Sequence, residues 1–145
     1  MTNSITEIKI NIINYNLKIL NMKWYLKCLH QYADFSGRAR RREYWTFVLI
    51  NLIISILIIG FENIIGMAIP EIGYGPLTPL YSLFVLIPSL AVVVRRLHDV
   101  GKSGWMFLIL LIPIVGFIWI LVLLLTDSQQ ESNNWGDNPK LEEWI

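Results

Sequence analysis

Three long apolar runs, separated by two short polar breaks, constrain this chain more than any other feature. The runs cover about 44–61, 77–94 and 105–125. At 1.5 Å of rise per helical residue each reaches roughly 27–32 Å, close to the roughly 30 Å of a bilayer's hydrocarbon core. Inside lipid every backbone N–H and C=O must be paired within its own segment, so runs of this kind are helices. The hydrophobic content of 54% exceeds ordinary soluble usage and is concentrated in these blocks. The fold class is therefore an all-α membrane protein with about three transmembrane helices.

Charge then orients the runs. A net charge of only +1 gives no case for nucleic acid as a partner, but the distribution is uneven. From Met22 onward, six Lys and Arg residues precede the first run and none lies in the Pro/Gly-rich loop at 70–79. Three follow the second run and one, Lys140, lies in the tail. Basic residues are retained on the cytoplasmic side. This places the N-terminus and the 95–102 segment inside, and the Pro/Gly loop and C-terminal tail outside; a re-entrant third run would instead return the tail to the cytoplasm.

Three regions divide the chain. Residues 1–21 form no clean helical or strand period; they are a weakly ordered extension or a mis-assigned start, and the composition changes abruptly at Met22. Residues 22–139 are the membrane domain, and 140–145 a polar C-terminal end. Trp24, Tyr25, Cys28, Leu29 and Tyr32 recur at helical spacing, which predicts a short amphipathic helix ahead of the first span, either interfacial on the membrane surface or packed on the rest of the cytoplasmic part. Ser36 is a natural N-cap for the helix that follows. Pro88 predicts a kink in the second span, and Pro113 with Gly116 a bend in the third. Trp135 and its turn-rich neighbours predict a tail folded back on the membrane surface.

Two stretches gather the polar chemistry. The first holds Arg38, Arg40, Arg41, Arg42 and Glu43; the second holds Arg95, Arg96, His98, Asp99 and Lys102. The topology brings both to one membrane face. Charges at a partly desolvated interface need partners, so Asp99 is expected to pair with an arginine of the first stretch and Glu43 with Arg95 or Arg96. Such a clasp is either purely structural or an anion and lipid headgroup site. Within the spans, Asn51, Ser55 and Glu62 share a face, as do Ser82 and Ser89, suited to helix contacts or to a polar path.

Enzyme signatures fail on spacing. Gly101-Lys102-Ser103 resembles the end of a phosphate-binding loop, but Arg96 stands where that loop requires glycine. Trp105 likewise replaces the last glycine of a nucleophile elbow. His98 and Asp99 are adjacent, so their side chains diverge and do not form two members of a triad. The single cysteine, Cys28, excludes an intrachain disulfide, and Cys28, His30 and His98 are too scattered for a zinc set. No catalytic residue, metal or cofactor is expected.

Trp24-Tyr25-Leu26, the run Phe35 to Trp45, Arg95-Arg96-Leu97-His98-Asp99 with Gly101-Lys102-Ser103-Gly104-Trp105, and Asn134-Trp135-Gly136 with Pro139 occur in one order. Together they resemble the successive motifs of the bacterial inner-membrane family catalogued as domain of unknown function 805. The resemblance implies a small multi-span inner-membrane protein and supplies no activity. The resulting expectation is a non-enzymatic protein whose partners are membrane lipids through its basic cytoplasmic face, another membrane protein, or a second copy. The alternative is a subunit of a small oligomeric transporter or channel; a membrane-bound hydrolase is a further one.

Overall fold

The computed structural model describes residues 22–141; the expectations for 1–21 and 142–145 lie outside the described residues. It is helical, with no strands among the described residues. Helix α1 covers 22–30, α2 Arg41–Ile64, α3 Leu77–Asp99 and α4 Val115–Leu125; a 3₁₀ helix, Gly104–Leu111, lies between α3 and α4.

α2 and α3, with 24 and 23 residues, are long and apolar enough to cross a membrane. α2 runs beyond its expected span at both ends, and α3 only at its C-terminal end. Their outward residues, among them Leu52, Ile56, Leu57, Leu80 and Leu83, are exposed, as suits a surface facing lipid. Between the two helices, Tyr81 donates to Asn51 Oδ1 at 2.6 Å, and Asn51 donates back one turn to Phe47 O.

α1 is amphipathic as expected, but its apolar face is used inside the molecule. Trp24, Tyr25 and Cys28 are buried, and the Tyr25 ring stacks on Phe47 of α2 at 5.5 Å. The chain leaving α1 also repairs a defect in α3. Pro88 lacks the N–H that would bond Phe84 O, and the Tyr32 hydroxyl donates to that carbonyl instead.

Ser36 does not cap α2. It donates its N–H and hydroxyl to Asp34 in a tight turn, Gly37 follows at φ 74°, and α2 begins at Arg41. The second polar stretch is not a loop either. Arg95 to Asp99 form the last turn of α3, and the chain turns at Gly101, φ 72°.

The third apolar run departs furthest from expectation. It is not one bent helix but two short pieces, of eight and eleven residues, each about 16 Å long. Ile112-Pro113-Ile114 reverses the chain between them, with Ile114 at φ 67°. Gly116 permits the reversal, because a Cβ there would lie 1.8 Å from Ile109 O. The hairpin leaves from the end of α3 and returns to it, so the tail from Thr126 lies at the same end of the bundle as the two basic stretches. The expected placement of the tail at the opposite end, beside the Pro/Gly loop, is thereby corrected. A polarity count is blind to a run that reverses halfway.

Candidate functional site

The two basic stretches meet at one end of the bundle, where α1, α2, α3 and the tail converge around two closed carboxylates. Asp99 is the first. It accepts from Arg38 Nε at 3.1 Å, from Arg96 Nη1, and from Ser128 Oγ at 2.6 Å. Arg38 is itself buried and spends all its donors on the protein. Nη1 reaches Glu131 O and Gly136 O, and Nη2 reaches Asp99 O and Gln129 O. With Nε this satisfies the five N–H groups of a guanidinium. Arg96, equally buried, donates to Leu124 O and Thr126 O at the end of α4. One aspartate thus fixes two arginines, and the arginines fix the backbone of the tail.

Glu43, in the first turn of α2, is the second closed carboxylate. Lys27 Nζ lies 3.0 Å from its Oε2 and Arg95 Nη2 3.5 Å from its Oε1. Arg95 also donates to Gln31 O and Asp34 O, holding the α1–α2 connection. Cys28 Sγ is 3.8 Å from Glu43 Oε1. Burial, reinforced by that carboxylate, pushes the thiol up to about 12, so it stays protonated. The expected cross-pairing is present in both halves: Asp99 with Arg38, and Glu43 with Arg95.

The remaining sequence candidates separate. His98 points away from Asp99: Nδ1 is 3.1 Å from Gly37 O, and its ring stacks on Trp135 at 4.6 Å. Trp135, expected on the membrane surface, is held by this stack. Arg40 lies over the Trp24 ring, 3.6 Å from its centroid, a cation–π contact. Arg41 pairs with Asp127 at 3.3 Å and donates to Leu125 O. Arg42 and Lys102 are exposed, with no side-chain bond among the described residues. Sequence reasoning missed Lys27, Ser128 and the tail carbonyls; a carbonyl acceptor carries no residue signature.

Arg40, Arg41, Arg42 and Lys140 line an open groove of about 350 Å³, with Asp127 its one carboxylate among the described residues. Burial, with the neighbouring charge of Arg42, pulls the Arg40 guanidinium below its ordinary value. Asp127 is held below the usual aspartate range, first by the hydrogen bond from Lys140 at 2.7 Å.

The intramembrane candidates do not form one path. Asn51, Ser55 and Ser89 line a cleft of about 340 Å³ between α2 and α3. Ser82 is exposed and bonds Thr78 O within its own helix. Glu62 lies at the other end, fully buried, where it accepts from the N–H groups of Gly75, Leu77 and Thr78 and from the Thr78 hydroxyl. It therefore caps the start of α3, where backbone donors are otherwise unpaired and the helix dipole favours an anion.

Two membrane-length helices, a returning apolar hairpin and a buried ion-pair cluster at one end define a small all-helical membrane protein. The family model described as "Protein of unknown function (DUF805)" matches residues 32–137, and the chain belongs to that family. It is 42% identical over 119 residues to the inner membrane protein YhaI of Escherichia coli K12, covering 82% of this chain and 97% of that one. It is 41% identical over 121 residues to the inner membrane protein YhaH of the same strain, covering 83% and 99%. A more distant relative there, the uncharacterized protein YiiR, is 30% identical over 113 residues, covering 77% and 62%. No solved structure matches.

Proposed function

We propose that the chain is a non-enzymatic protein of the bacterial inner membrane whose polar end faces the cytoplasm and binds anionic lipid headgroups in the groove of Arg40, Arg41, Arg42 and Lys140. The groove carries this reading: four cations crowd around one carboxylate, leaving an excess of positive charge that a phosphate would neutralise. The buried arginines of the clasp play no part in it, because they are shielded inside the molecule and face its own carboxylates and carbonyls. Cytoplasmic orientation of this end follows from the concentration of basic residues there, and the names of the two nearer relatives support the inner membrane. With the tail at the same end, both described termini are cytoplasmic on this reading.

The test is lipid enrichment in nanodiscs of mixed phosphatidylglycerol and phosphatidylcholine, read by mass spectrometry of the lipids retained on the protein. Each cation near an anionic surface contributes about 1 kcal/mol. The pair Arg42→Gln and Lys140→Gln is therefore expected to reduce phosphatidylglycerol enrichment by roughly tenfold or more. Unchanged enrichment in a folded double variant would refute the proposal.

A further inference from the structure

A second concavity, apart from the arginine groove, has the opposite character. It holds about 540 Å³ between α3 and the 3₁₀ helix. Leu90, Val94, Phe107 and Leu108 form its walls, Phe35, Trp105 and Trp135 its rim, and His98 and Ser103 its polar end. Gly104 brings the 3₁₀ helix close to α3, since a Cβ there would lie 2.7 Å from Val94 Cγ1. No carboxylate lines the groove.

Its direction matches that of a lipid. His98 is next to Asp99, at the level of the ion-pair cluster, while Leu90 lies eight residues back along α3, about 12 Å deeper toward the hydrocarbon. The groove opens beside exposed Phe35, Trp105 and Leu108, continuous with the lipid-facing surface of α3 at Leu83, Phe84 and Leu86. An apolar recess of this kind does not hold water stably, and left empty its walls lose their dispersion contacts. At its polar end Ser103 lines the groove, and the exposed Lys102 is its neighbour in the chain.

We infer that this groove seats one acyl chain of an anionic phospholipid from the adjoining leaflet, with the headgroup over Lys102 and Ser103. The inference does not depend on the arginine groove. It is tested in nanodiscs containing phosphatidylglycerol with a diazirine in one acyl chain, mapping the cross-linked peptides after irradiation. Cross-links are expected to concentrate at Leu90, Val94, Phe107 and Leu108, and to fall about tenfold on filling the groove from either wall with Leu90→Trp or Leu108→Trp. Lys102→Gln should reduce competition by unlabelled phosphatidylglycerol to that of phosphatidylcholine, while Arg42→Gln with Lys140→Gln should leave the cross-links in place. Labels spread evenly over the lipid-facing residues of α2 and α3, or unchanged in both tryptophan variants, would overturn the site. Equal competition by the two lipids in the unmodified protein would overturn the headgroup assignment.

Discussion

Each end of the helix pair buries carboxylate, and the two ends supply its hydrogen-bond partners by different means. At one end Asp99 is held by two arginines and a serine hydroxyl. At the other Glu62 has no ion pair among the described residues and is held by three backbone N–H groups and the Thr78 hydroxyl. A charge pair joins distant pieces of chain, because each arginine has further donors to spend. An amide cradle joins only what is already adjacent. The first end therefore gathers α1, α2, α3 and the tail into one cluster, while the second closes a single turn between α2 and α3.

The sharpest way to break this contrast is Asp99→Ala, which leaves Arg38 and Arg96 buried and unpaired. Removing one partner of a buried pair costs about 3–5 kcal/mol, and chemical denaturation in detergent should show a loss of that size together with exposure of the tail to protease. Glu62→Gln is expected to cost less, since a glutamine keeps one acceptor oxygen for part of the cradle, and to leave the tail protected. Gly75→Ala attacks the same turn sterically, with its Cβ 2.7 Å from Met67 O. Removing the Tyr32 hydroxyl orphans Phe84 O beside Pro88, and Tyr32→Phe should lower stability by about 1 kcal/mol in the same measurement. The smallest effect belongs to Asp127, which is half exposed. Its lowered pKa means that its pairing with Lys140 and Arg41 is fully present at neutral pH. That pairing is lost only as pH falls below the usual aspartate range of about 3.9. The protection of the tail amides, taken relative to the intrinsic exchange rate at each pH, should therefore be the same at pH 7 and pH 5 and lower at pH 3, and Asp127→Asn should abolish that difference.

How far the sequence could be read differs between the same two ends. Cross-pairing of the basic stretches was legible because five buried charges at one interface, Arg38, Glu43, Arg95, Arg96 and Asp99, have few other partners. Which arginine took Asp99 was not, because Arg38, Arg40 and Arg41 differ only in the path of the chain after the Asp34–Ser36 turn. The return of the tail was one of two readings, and the sequence does not choose between them for a different reason. Pro113 and Gly116 mark a break, but a bend and a reversal have the same composition. The difference lies in Ile114, a β-branched residue at positive φ, a conformation its side chain does not advertise. At the other end Glu62 reads as an ordinary interfacial acid, and its cradle is made of backbone, to which any sequence would contribute.

The central claim is that the third apolar run returns, so that the tail shares a membrane side with the arginines. It is tested most directly by side-specific labelling in a Cys28→Ser background, with single cysteines at Ser36, Glu71 and Ser132 and a membrane-impermeant maleimide applied to oriented vesicles. Ser36→Cys and Ser132→Cys should be labelled from the same side and Glu71→Cys from the other. Labelling of Ser132→Cys together with Glu71→Cys, and apart from Ser36→Cys, would contradict the account.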